Sequence, residues 1–206
     1  MAGRVAGKPP ASQADADVEV DEATSSTRAD ARRNRLAVLA AADAAFAEDG
    51  IGVPVDEIAR RAGVGAGTLY RNFPNKEALY EAVIRHHMEA VATKARELST
   101  SERPGPALFE FLGHLAEQAS LRRNLVEALT GAGIDVKASL ATTKQEVDAA
   151  AEVLLRRAQR AGEVRSDVTL EDLFALVMGA CMFSSAEPDT CSQARMISVV
   201  CEGLRP

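Results

Sequence analysis

Thr68, Tyr70, Arg71 and Asn72 fall within one short stretch of chain, and Lys76 follows closely. Together they supply a hydroxyl, a phenol, a guanidinium, a carboxamide and an ammonium. These groups donate hydrogen bonds and carry positive charge, but they include no nucleophile with a base beside it. Such a set suits contact with phosphate oxygens and base edges of duplex DNA, where backbone contacts position and base contacts specify. The side chains must then be carried on an element that fits a groove. A short helix entered through a tight turn does this.

The residues around them predict that element. Ile58, Ala59 and Ala62 repeat at helical spacing, with Asp56 and Glu57 in the first turn where the helix dipole favours negative charge. Gly63 can take the left-handed conformation that ends a helix. Gly65 and Gly67 are expected to let a second helix start close to a neighbouring backbone. Leu69 and Phe73, four apart, anchor that second helix to the first and leave Thr68, Arg71 and Asn72 on other faces. Pro74 stops it, and Asn75 is a favourable N-cap for the next helix. Lys76 then stands at a helix N-terminus, where the dipole gives a cation no benefit and a nearby anion such as a DNA phosphate would. The glycine run 63–67 is not a nucleotide-binding loop. It lacks the third glycine of one motif and the lysine of the other, and no strand precedes it.

Beyond this stretch the chain reads as helix throughout. Residues 1–31 are assigned to an N-terminal tail expected to be disordered, because 1–27 are rich in Ala, Asp, Ser, Pro and Gly. A helix is expected over 31–49, with Leu36, Leu39, Ala40 and Phe46 buried and Arg32, Arg33 and Arg35 at its basic end. At least one of these arginines is a candidate phosphate contact. The helix after Asn75 is expected to reach about Leu98, and 99–106 to connect two domains. Later helices are expected from Pro106, over 121–130, over 136–161, from a Thr169 or Asp167 cap to about Met182, and over 189–204.

Composition narrows the function classes. Of 206 residues, 47% are hydrophobic and 4% aromatic, enough for a helical core of Ala, Leu and Val. The net charge of −6 is unevenly placed: residues 28–88 carry nine basic against eight acidic side chains, while the segments on either side are acidic. DNA binding must therefore rest on well-placed cations rather than on a basic field. Cys181, Cys191 and Cys201 match neither a disulfide framework nor a zinc site, and no histidine pair has metal-ligand spacing. No metal, cofactor or catalytic constellation is expected. No secretory leader or membrane span is read, and a cytoplasmic location is expected.

The stretch IARRAGVGAGTLYRNFPNKEAL, 58–79, resembles the DNA-binding domain of TetR-family transcriptional regulators, whose pattern runs approximately IA..AGVS.GTLYRHFPSKEAL. Matching positions include Ile58, Ala59, Ala62, Gly63, Val64, Gly67, Thr68, Leu69, Tyr70, Phe73, Lys76, Glu77 and Leu79. Pro54, Gly65 and Asn72 depart from it, the first two by removing hydroxyls. The resemblance implies an all-α fold of about nine helices. A three-helix domain at 32–91, with its helix-turn-helix at about 54–73, would be joined by a long helix to a ligand-binding and dimerisation domain at 92–206.

It also implies roles. Gly67 and Thr68 would lie near phosphate, Tyr70 and Lys76 would contact the backbone, and Ala66, Arg71 and Asn72 would reach base edges, with Gly65 also counted in the DNA-binding surface. A homodimer would read a palindromic operator, and a small molecule would release it. Phe109, Leu112, Leu129, Met178 and Met182 are candidates to line the ligand pocket. The run 173–183 is too apolar for a free helix surface, so Leu173, Leu176, Val177 and Ala180, with Val199 and Val200, are candidates for the dimer seam. The other reading open at this point is a helical binding or scaffolding protein with a vestigial DNA-binding domain.

Overall fold

A computed structural model describes the backbone of residues 13–183 and 190–206 and the side chains of 28–181 and 193–206. Among the described residues the chain forms nine helices and no strand. They are α1 Gln13–Asp49, α2 Val55–Arg61, α3 Ala66–Asn72, α4 Lys76–Leu98, α5 Pro104–Gly131, α6 Val136–Ser139, α7 Ala141–Arg160, α8 Leu170–Phe183 and α9 Thr190–Gly203. The first three pack together, α4 runs from them into the second half to pack on α5 and α7, and α8 and α9 pack on α5.

The local signals explain most ends. Gly63 adopts φ +67°, the left-handed turn that closes α2. The Asn75 side chain accepts from the Ala78 amide at 2.7 Å and caps α4. Before α8 the cap is reciprocal: Asp172 N–H donates to Thr169 Oγ1 at 3.2 Å, and Asp172 Oδ2 accepts from the Thr169 amide at 2.9 Å. The Thr169 hydroxyl also donates to Asp172 Oδ2 at 2.7 Å, and this bond first, then the one from the Thr169 amide, holds the Asp172 carboxyl below its ordinary pKa.

Packing of α4 against α1 sets the first half of the molecule. Phe46 and Tyr80 meet edge to face with centroids 5.1 Å apart, and the Tyr80 hydroxyl donates to the Ile51 carbonyl. Further along, buried His87 places Nε2 3.0 Å from Asp43 Oδ1. On the other side, Lys94 pairs with Glu110 of α5 at 2.6 Å. The turn between α4 and α5 is tied to α7 by Arg157, which donates to the Ser101 carbonyl at 2.8 Å.

Four expectations need correction. Helix α1 begins at Gln13 rather than Ala31, so the segment read as a tail is helical from that residue on. No glycine or proline interrupts 13–49, and Arg28 to Asn34 are all exposed on this helix. Within α1 the buried stripe is Val38, Leu39, Ala42, Ala45 and Phe46, whereas Leu36 and Ala40 face outward. The segments from Pro106 and over 121–130 form one helix, α5, because no breaker separates them. Conversely, the helix expected over 136–161 is broken at Leu140. That side chain is 4% exposed and turns into the core, and Arg85 of α4 donates to the Ser139 carbonyl at 3.3 Å beside the break.

Two stability outcomes follow. Asn75→Ala should lower unfolding free energy by about 1 kcal/mol through the lost cap. Leu140→Ala should cost about 2–5 kcal/mol by leaving a cavity at the α6–α7 break. Urea denaturation followed by circular dichroism measures both.

Candidate nucleic-acid interface

Helix α3 commits one side to the core and leaves the other free. Leu69 and Phe73 are buried, with Phe73 under the Arg35 guanidinium of α1 at 4.7 Å from its ring centroid. Tyr70 and Arg71 are exposed, Thr68 and Asn72 partly so. Gly65 is the N-cap of α3 and makes no side-chain cap, so at this end only its carbonyl bonds the first turn, accepting from the Thr68 amide at 2.9 Å. The expected close approach of backbone at Gly65 and Gly67 is not found: a Cβ at either would meet nothing within 4 Å. Neither has positive φ. These glycines, with exposed Ala66, keep the outer surface of the turn low instead.

The polar groups of α3 are folded onto their own helix. Arg71 donates from Nε to the Gly67 carbonyl at 3.1 Å and from an NH2 nitrogen to Thr68 Oγ1 at 3.0 Å. Asn72 donates from Nδ2 to the Thr68 carbonyl at 2.8 Å. Reaching a base edge requires exchanging these bonds, each worth about 1 kcal/mol net. Lys76 lies half-buried with Nζ 5.7 Å from the Tyr80 ring centroid. Arg32 and Arg33 are exposed on α1, and Arg33 pairs with Asp30.

One cluster was missed by sequence reasoning. Glu57 accepts from Arg60 at 2.7 Å and from Arg61 at 2.9 Å, and Arg61 reaches on to Asp49 at 2.5 Å and Glu48 at 3.0 Å. Arg60, then Arg61, pull the Glu57 carboxyl down from 4.5 to about 2. Both guanidinium pKa values are raised, chiefly by hydrogen bonding to Glu57. The i,i+3 and i,i+4 spacing of the Glu57 pairs was readable. The link back to the end of α1 was not. It removes two arginines from the supply of free cations and clamps α2 to α1.

The other candidate residues do not converge. Phe109 lines a depression of about 420 Å³ with Arg103, Glu163 and Arg205, and Met178 lines another of about 550 Å³ with Leu170 and Phe174. Leu112 and Leu129 are closed core residues. The Met182 side chain lies outside the described residues. Of the seam candidates, Leu173, Val177 and Ala180 are buried within the subunit, because α8 turns that stripe inward onto α5. Leu176 and Val199 remain exposed at 46% and 72%, and Val200 is partly buried.

A glycine turn between two short helices, with the second buried on one side and polar on the other, defines a helix-turn-helix DNA-binding domain; here it is followed by a larger helical domain. Residues 38–83 match the family model for bacterial regulatory proteins of the tetR family, and 103–206 match that for the C-terminal domain of SbtR-like transcriptional regulators. A TetR transcription regulatory protein from Mycobacterium vanbaalenii is 42% identical, with 87% of this chain and 99% of that one covered and a TM-score of 0.72. The TetR transcriptional regulator SCO0520 from Streptomyces coelicolor is 34% identical, covering 84% and 98%, with a TM-score of 0.71. The HTH-type transcriptional regulator UidR of Escherichia coli K12 is 27% identical over 143 residues, 68% of this chain and 73% of its own. The chain belongs to the TetR family of transcriptional regulators and is not an enzyme.

Because folding lowers the Glu57 pKa, the folded state releases that proton more readily than the unfolded chain. Its stabilising contribution is complete above pH 4.5 and is lost as pH falls towards 2. An acid titration by circular dichroism should show that component, and Glu57→Gln should remove it while lowering stability at neutral pH.

Proposed function

We propose that this regulator is a repressor that binds a palindromic operator as a homodimer in the cytoplasm and is released by a small molecule. The observation that carries the reading is the outer surface of the α2–α3 turn. Gly65, Ala66 and Gly67 leave it open to a phosphate backbone, and Thr68, Tyr70 and Arg71 stand beside that opening. In this reading Tyr70, Lys76, Arg32 and Arg33 take phosphates, while Arg71 and Asn72 swing from α3 to read bases, guanine and adenine respectively. Residues 32–91 act as the DNA-binding domain and 92–206 as the effector and dimer domain.

Support for pairing comes from Leu176 and Val199, two large apolar side chains left in solvent on α8 and α9. Covering them with a second copy would remove that exposure and set two α3 helices on one side of the dimer. Half-sites for such dimers lie about 34–36 Å apart, so a ligand that changes the separation changes occupancy. No helix among the described residues is long and apolar enough to cross a membrane.

Fluorescence anisotropy with DNA flanking the gene of this protein tests the reading. Lys76→Ala should weaken binding to all sequences and reduce the slope of log K against log salt by about 1. Arg71→Ala should cost about 1–3 kcal/mol on the preferred site and relax its sequence preference. Retention of no fragment at low salt would instead favour a binding or scaffolding protein. Leu176→Glu should shift the protein to monomer in sedimentation and abolish tight operator binding.

A further inference from the structure

The buried face of α5 carries a charge at its centre. Leu115, Arg122 and Leu129 stand seven residues apart, about two turns each, so they share one line along the helix. Leu115 and Leu129 are closed, 2% and 0% exposed, whereas Arg122 between them is only partly buried. Among the described residues Arg122 has no hydrogen bond and no carboxylate partner, while its neighbour Arg123 donates to the Cys181 carbonyl at 3.1 Å. Loss of water pushes the Arg122 guanidinium below its ordinary pKa. A guanidinium removed from water without an acceptor is costly, and a leucine at this position would complete the stripe.

The polar environment continues along α5. His114, Gln118, Arg122 and Val126 are each four apart and each partly exposed. Successive members turn by about 40°, so this ridge passes from the border of the buried face at His114 to its centre at Arg122. The Nε2 atom of His114 is itself buried and makes no hydrogen bond.

We infer that this ridge binds a small monocarboxylate with an apolar body, its carboxylate taken by the Arg122 guanidinium through two parallel hydrogen bonds. The apolar body lies along the α5 side chains towards Val126, and Gln118 supplies a further donor. One guanidinium neutralises one charge. A phosphate monoester carries close to two near neutral pH, and Arg123 is already engaged. The inference rests on the reading of the C-terminal domain as an effector domain and names the chemical class of effector.

Isothermal titration of the full chain, without DNA, tests it with benzoate, phenylacetate and octanoate, each beside its primary amide, and with phenyl phosphate. At least one acid should bind at least tenfold more tightly than its amide and than phenyl phosphate. Arg122→Gln should reduce that acid's affinity at least tenfold and erase the acid–amide difference, while Arg122→Lys should retain part of both. Without ligand, Arg122→Met should melt at or above the wild-type temperature, since an unpaired charge gives way to an apolar side chain of similar length. No preference for any acid, tighter binding of phenyl phosphate, discrimination that survives Arg122→Gln, or a lowered melting temperature in Arg122→Met would overturn the assignment. An acid bound by a protein that retains no operator DNA would instead overturn the regulatory reading and leave this site standing.

Discussion

The edge-to-face contact of Phe46 with Tyr80, closed by the Tyr80 hydroxyl on the Ile51 carbonyl, fixes where α4 leaves the DNA-binding domain. Both rings are largely buried, and the hydroxyl satisfies a loop carbonyl that would otherwise lack a partner. With that contact made, the direction of α4 is set relative to α1. The surfaces available to α5 and α7 follow from it. The Glu57–Arg61–Asp49 cluster holds α2 to the same end of α1. The helix-turn-helix is therefore attached to a frame at two places.

This attachment gives α4 two tasks. Its first turns belong to the core around Phe46 and Ile58, and its later turns, from Met88 to Ala95, belong to the core shared with α5 and α7. Rotation of α4 in one half would displace packed side chains in the other, because close-packed interiors do not deform smoothly. Arg85 marks the crossover: it pairs with Glu81 on its own helix and also reaches the Ser139 carbonyl of the second half.

The N-terminal domain was legible because its information is local. Gly63, Pro74 and Asn75 act on their own neighbours, and the Leu69–Phe73 pair declares its buried side by spacing alone. The C-terminal half was legible as helix but less so in detail. The break at Leu140 has no glycine or proline to announce it; it arises from burial of one leucine and an arginine from another helix. Three of the seam candidates, Leu173, Val177 and Ala180, face inward for a related reason. In 173–183 nearly every side chain is apolar, so periodicity cannot say which stripe faces inward, and only packing on α5 decides. The start of α1 was misread because composition speaks to packing energy, whereas helix in 13–49 meets no glycine or proline to stop it. Arg122 was not singled out in the sequence, because its lack of a partner among the described residues is visible only in the fold.

The division of labour within α3 has an evolutionary side. Leu69 and Phe73 hold the helix in place, while Ala66, Tyr70 and Arg71 are exposed and Arg71 bonds only to its own helix. Substitutions at these outward positions meet little structural resistance, since surface changes away from caps and cores alter stability by only about 0.5 kcal/mol. If α3 reads DNA as proposed, target preference would drift in a duplicated copy of the gene without the copy first losing its fold. A scaffold with this property can be reassigned to new promoters one side chain at a time.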